Sequence, residues 1–401
     1  PALLISPASF FPLMCRGEVP AGLNLSSRIT RRRRPGDRSV STTDVGGFNL
    51  PGAGLGAMLG EIDGRHSLVG FAGAIAVIAV LFWFVGYDDV AEAFALVRPW
   101  ALVAVAGVAL LWILAWSLGL RTVLGILDIH VPVAGAYLLQ AAVQFTNNVT
   151  PFGQAGGEPI SALIISRSVD AEYETGLAAI ASVDAINFLP SIGFALVGLA
   201  YYGIVFTLST RLRQAALVIA LLIVVLAAVG YAAWRYRHRL EELSVAALAP
   251  VLGIVGRAFP FRRAPDREVV RSHVRGFYRD IGRLTDQPGR LAVAIAFSTV
   301  GWFCLVGSLW LSLFALGHPV PFASLLVVIP IAAMAGLAPF PGGLGSTEAV
   351  LVLLLVPITA VTPAVAGAAV LVHRTGTYWF PILVGGGAAA YLGSTARPWS
   401  R

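Results

Sequence analysis

The sequence predicts an all-α polytopic membrane bundle, arranged as an inverted-topology repeat with two re-entrant helical hairpins. Three observations predict it. Of 401 residues, 57% are hydrophobic and 12% are charged, against about 25% charged in a soluble domain. Several apolar stretches reach the roughly 20 residues that a membrane-spanning helix needs. One segment also occurs twice. Val131-Pro132 answers Val320-Pro321, Pro151-Phe152 answers Pro339-Phe340, and Glu158 answers Glu348, at offsets of 189, 188 and 190 residues. Phe188-Leu189-Pro190 answers Trp379-Phe380-Pro381 at an offset of 191. Roughly half of the chain is thus a copy of the other half, and each copy holds a Gly/Pro-broken apolar stretch that ends in an acid. Paired interrupted segments of this kind point to a binding site at mid-membrane.

The elements follow in order. Residues 1–57 are rich in Gly, Pro, Ser and Arg and lack periodicity, which reads as a disordered or untranslated leader, with Met58 as the start. The start, PALLISPASFFPLM, has no basic n-region and no clear small-residue cleavage site, so it makes a poor signal peptide. A transmembrane domain then covers 58–394, its first repeat about 68–206 and its second about 215–394, with a cytoplasmic tail at 395–401. Six full spans are expected at 68–86, 99–120, 176–206, 215–234, 291–316 and 363–393. Two apolar pieces are too short or too broken to cross simply. These are 133–167, broken at 151–157, and 322–357, broken at 339–345. Pro and Gly remove helix hydrogen bonds, and such backbone survives in lipid only where protein buries it or a cavity lies beside it. Each piece is therefore expected to be a re-entrant hairpin with its tip inside the membrane.

Arginine placement sets the orientation. All 28 basic residues are Arg, and the richest loop is 235–290, which places that loop in the cytoplasm. Counting outward from it, the first hairpin enters from the cytoplasm, flanked by Arg121 and Arg167. The second enters from outside, and both termini are cytoplasmic. Within the loop, residues 266–285 form a basic amphipathic helix. Val270, Val274, Phe277, Ile281 and Leu284 make its apolar stripe, and Arg267, Arg271, Arg275 and Arg279 make an i,i+4 ladder suited to the anionic inner leaflet. The alternative is a solvated helix packed on the bundle. A nucleic-acid partner does not fit a loop tied to the membrane at both ends.

Charge inside an apolar span costs about 2.5–3.5 kcal/mol on insertion scales, so it faces a partner or a wet cavity. Glu158 and Glu348 follow the two tips, and Asp184 and Arg374 lie at nearly matching depth in the two halves. They are expected to line one central cavity. Arg374 would hold an anionic headgroup, and the two glutamates would couple protons or ions or bind a cationic group. The alternative is that these charges pair as staples. Helix N-termini after Gly156-Gly157 and Gly342-Gly343 offer free N–H groups, and Ser346 or Thr347 is expected to cap the second half-helix. Gln144, Asn147, Asn148, Thr150 and Gln154 make the first tip the more polar one. His373 is expected to be hydrogen-bonded, and Cys304 to be packing. Cys15 and Cys304 are the only cysteines, too few for a disulfide framework. No Walker loop, G-x-S-x-G, dinucleotide fingerprint or Cys/His metal cluster is present, so no enzyme activity and no cofactor are expected.

The stretches PFGQAGGE at 151–158, PFPGGLGSTE at 339–348 and HRTGTYWFP at 373–381 resemble the lysylphosphatidylglycerol synthase transmembrane region. This family is also called flippase-like or UPF0104, and the similarity runs over about 65–394. The resemblance implies an ATP-independent transporter of an anionic or aminoacylated phospholipid, or of a polyprenyl-phosphate-linked lipid. It implies membrane lipids as partners and, since some relatives are fused to glycosyltransferases, a glycosyltransferase or lipid-modifying enzyme as another. The family commonly has an arginine near the position of Asp184, where this chain reads Val183-Asp184-Ala185. Two alternatives stand beside the transporter. One is a non-catalytic partner of a glycosyltransferase. The other is a polyprenyl-diphosphate phosphatase, which would need a phosphate loop with an arginine that PGGLGSTE lacks.

Overall fold

Proline and glycine set the boundaries of the helices. The computed structural model describes residues 97–205 and 267–394, with single positions at 92, 228, 235, 236, 239, 242, 243 and 246. The expected leader, the spans at 68–86 and 215–234 and the C-terminal tail lie outside the described residues. The described part is helical, without strands. Its helices are α1 (Pro99–Ile126), α2 (Val133–Val149), α3 (Gln154–Val169), α4 (Tyr173–Val205), α5 (Arg267–Thr285), α6 (Pro288–Ala315), α7 (Phe322–Met334), α8 (Ser346–Thr359), α9 (Pro363–Arg374) and α10 (Phe380–Ser394). Pro99, Pro288 and Pro363 open α1, α6 and α9, where the missing N–H costs nothing and the fixed φ suits the first turn.

Four described segments are long and apolar enough to cross a membrane: Pro99–Ile126, Tyr173–Tyr201, Pro288–Ala315 and Pro341–Thr359. The last of these is the second limb of the second broken piece counted together with its tip; taken as continuous α-helices, the limbs of the two broken pieces are shorter. α2, α3, α7 and α8 have 17, 16, 13 and 14 residues. At 1.5 Å per residue each limb is about 20–25 Å long, below the roughly 30 Å of a hydrocarbon core.

The element order repeats. Helices start at Pro99 and Pro288, Val133 and Phe322, Gln154 and Ser346, and Tyr173 and Pro363, each pair separated by 189 to 192 residues. Packing follows the same scheme. α1 and α6 lie antiparallel. Arg290 Nη1 donates to Gly125 O at 3.0 Å at one end, and farther along Trp116 Nε1 reaches Ser298 O at 3.4 Å. Each first limb then packs against the last helix of the other repeat, α2 against α10 and α7 against α4. Bare backbone makes both contacts close: a Cβ on Gly385 would lie 2.1 Å from Ala141 O, and one on Gly198 2.8 Å from Val327 N. Two buried apolar clusters result. One centres on α1, α2, α3 and α4, the other on α6, α7, α8 and α9.

Helix α5 packs on the bundle. Val274 and Leu284 are buried, and Asp280, 3% exposed, accepts a hydrogen bond from Thr175 Oγ1 at 3.0 Å. Phe277 and Ile281 are partly buried, so this part of the stripe packs in the manner of a solvated helix on the bundle, while Arg271, Arg275 and Arg279 stay exposed. Cys304 is buried and unbonded beside an apolar groove between α1 and α6.

Candidate functional site

The broken pieces end where their sequences demand. Thr150 precedes Pro151, and the proline ring forces it into the extended conformation (ψ 144°) that stops α2. Thr150 Oγ1 then donates to Thr146 O at 2.7 Å and to Gly153 O at 3.2 Å, which ties the turn together. In the second piece Ala338 and Phe340 each precede a proline and are extended. Two short 3-10 turns, Ala335–Leu337 and Pro341–Gly343, carry the chain round.

The two tips touch. Gly342 N donates to Thr150 O at 3.3 Å, Asn148 Nδ2 donates to Tyr378 O at 3.2 Å, and Tyr378 Oη donates to Asn148 O at 3.3 Å. Gly342 has φ +54°, and a Cβ there would lie 2.7 Å from the Tyr378 ring and 2.8 Å from Asn148 O. Gly153 (φ +54°) presses in the same way on Gly336, where a Cβ would lie 2.5 Å from its carbonyl oxygen. Only glycine fits either place.

Beside this junction Glu348 and Arg374 form a buried ion pair, 4% and 8% exposed, with Nε donating to Oε1 at 2.6 Å. The second carboxylate oxygen accepts the Gly345 N–H at 2.6 Å, so Glu348 caps its own helix. Arg374 Nη2 donates to Gly342 O at 3.4 Å, and its guanidinium carbon sits 4.5 Å above the Tyr378 ring. The pair thus anchors the second tip to the end of α9. There the helix widens into a π turn, Thr375–Trp379, just before Pro381, whose ring would otherwise strike the preceding turn.

Asp184 belongs to a second group. Gln154 Nε2 donates to Asp184 Oδ1, and the Glu158 carboxyl interacts with that of Asp184. Asp184 Oδ2 is buried and receives no donor. The structure therefore divides the four charges expected in one cavity: Arg374 pairs with Glu348, and Asp184 faces Glu158 across α3 and α4. The pairing arises because each helix after a tip packs on the helix that follows it. Other expectations change as well. α3 already begins at Gln154, so Gly156 and Gly157 lie inside its first turn, where side chains would strike Pro151 O and Asn147. Gly345, rather than Ser346 or Thr347, is the N-cap of α8, and Ser346 Oγ donates instead to Ala335 O at 2.8 Å. Gly343 (φ +65°) lies against Gly336, and Arg167 lies in the last turn of α3 at the far end from the tip. His373 is buried and bonded to Ser308 Oγ at 3.0 Å.

The sequence reading missed Tyr378, Gly153 and Gly336. For Tyr378 a signal existed: an aromatic four residues after a buried arginine lies on the same helix face.

The family model described as the lysylphosphatidylglycerol synthase TM region matches residues 68–385. Two UPF0104 membrane proteins of Methanothermobacter thermautotrophicus are similar. One is 24% identical, covering 80% of this chain and 94% of the relative, and the other is 26% identical, covering 82% and 94%. A third UPF0104 membrane protein, from Pyrococcus horikoshii, is 25% identical over 60% of this chain and 72% of the relative.

Proposed function

The chain belongs to the lysylphosphatidylglycerol synthase transmembrane-region family, and from that premise we propose that it is a lipid flippase-like transporter. It moves an anionic or aminoacylated phospholipid, or a polyprenyl-phosphate-linked lipid, between leaflets without ATP. The observation that carries this reading is the meeting of the two tips, with a buried ion pair and a pair of acids beside them. If the hairpins enter from opposite faces, tips in contact share one depth inside the bilayer. Bent backbone there offers polar groups midway across, where a lipid headgroup crosses the highest barrier. The repeated element order supplies two similar halves that can rock about this junction.

Arg374 has a different part from the one its charge alone suggests. Glu348 and Gly342 engage its guanidinium, so it holds the second tip to α9. Contact with a phosphate requires this pair to part.

The test is leaflet exchange in liposomes containing the purified protein, with fluorescent anionic phospholipid and polyprenyl-phosphate probes. Protein-dependent exchange of at least one probe is expected, as is its loss in Glu348→Gln and Arg374→Ala protein that still elutes as a monodisperse species. No exchange of any probe overturns the reading.

A further inference from the structure

The repeat has an unequal charge at equivalent places. The same 190-residue spacing relates Glu158 to Glu348 and Asp184 to Arg374. Asp184 and Arg374 also lie equally far beyond the starts of α4 and α9, at Tyr173 and Pro363. The two pairs are therefore counterparts, a glutamate after a tip facing a residue on the next helix. In the second repeat that residue is a cation, and the pair is neutral. In the first it is another acid.

Nothing else in the described structure balances this acid pair. α7 has no charged residue, and the only charge on α6, Arg290, bonds Gly125 O. Arg121, the only charge on α1, bonds Val131 O. α5 meets α4 through Asp280 at Thr175, about 13 Å along the helix from Asp184. α3 contributes Glu158 itself, and its Arg167 lies in the last turn. Gln154 supplies one amide N–H to Asp184, and the buried Oδ2 receives none. Two like charges so placed repel, more strongly the less water surrounds them.

We propose that Glu158 and Asp184 form a binding site for one monovalent cation, a proton or a sodium ion, in the place that the Arg374 guanidinium fills in the other half. Bound there, the ion cancels one of the two charges, as Arg374 cancels that of Glu348. A site that fills and empties makes one half of the molecule sensitive to an ion gradient while the other half stays neutral. Its use in driving lipid movement rests on the transport reading above. The binding itself does not, and its test involves no lipid movement.

The test uses the purified full chain in nanodiscs of neutral lipid, read by infrared difference spectra of the carboxyl bands and by thermal unfolding. Samples are compared at acid and alkaline pH in choline chloride, and at alkaline pH with sodium replacing choline. A carboxyl band that the wild type gains on acidification and that both Asp184→Asn and Glu158→Gln lack, above the band shared by the chain's other acids, identifies the proton. A Tm that rises with sodium concentration identifies sodium, as expected for a ligand bound only by the folded state. Either response should vanish in both Asp184→Asn and Glu158→Gln. Carboxyl bands that do not differ between the wild type and either folded variant, together with a wild-type Tm that does not respond to sodium, overturn the proposal. The two variants are compared with the wild type independently, so one that fails to fold leaves the other to decide.

Discussion

Arg374 and Glu348 are the two charged side chains that the fold shuts in against each other, and the cost of breaking them is asymmetric. Removing one partner leaves the other charged and buried, which costs about 3–5 kcal/mol, whereas replacing both with apolar groups of similar size is often nearly neutral. Arg374→Met and Glu348→Leu should each lower the Tm sharply, and the double variant should recover most of the loss. A double variant as unstable as the sum of the singles would mean that the two side chains are not coupled. At the tips, Gly342→Ala should also destabilise, because φ +54° and the Tyr378 ring both oppose a Cβ. The charged residues were legible in the sequence because charge in an apolar run is conspicuous. Their partners were not. Three acids and one base, with Asp184 and Arg374 at nearly matching depth, leave an Asp184–Arg374 or a Glu–Arg pair equally open. Which pair forms depends on which helices pack, and only the fold decides that. The spacing of Tyr378 from Arg374 signals their shared face, but the contacts of Tyr378 with Asn148 and of Gly336 with Gly153 join residues far apart in the chain, and no local pattern announces those.

At the scale of the helix, boundaries were the most legible feature, because they rest on local chemistry. The prolines that open α1, α6 and α9 and those that end α2 and α7's 3-10 continuation act within one turn. The helix α5 was legible too, as a 3.6-residue stripe, but not the surface it covers, since packing on protein and lying on lipid require the same stripe. The π turn before Pro381 was not legible, because the equivalent proline in α4, Pro190, sits inside a helix that shows none. Close helix crossings give a sharper test. Gly385 presses on Ala141 of α2, while a Cβ on Gly387 meets nothing within 4 Å. Gly385→Ala should therefore cost about 1–3 kcal/mol by overpacking, and Gly387→Ala should be neutral or slightly stabilising through helix propensity. Thermal unfolding of the two variants in one detergent decides the point, and equal Tm values would show that α2 and α10 do not meet as described.

For the whole molecule the contacts fix which helix ends lie together, and from that follows a prediction about the membrane. Asp128 pairs with Arg283 at 3.7 Å, Arg290 reaches Gly125 and Thr175 reaches Asp280, so the end of α1, the start of α4, the last turns of α5 and the start of α6 share one end of the bundle. α6 then runs antiparallel to α1 and delivers His318, between α6 and α7, to the other end. The first broken piece leaves from the Asp128 end and the second from the His318 end, and yet their tips touch at Thr150 and Gly342. Tips that left opposite ends and crossed the whole bilayer would be some 30 Å apart, too far for a hydrogen bond. In a background with Cys15 and Cys304 replaced by serine, single cysteines at positions 128, 283 and 318 are all exposed enough to label. Positions 128 and 283 should react with an impermeant thiol reagent from the cytoplasmic face, and position 318 only from the opposite one. Labelling of 128 and 318 from the same face would remove the opposed orientation of the two repeats, and with it the mid-membrane junction on which the transport reading depends.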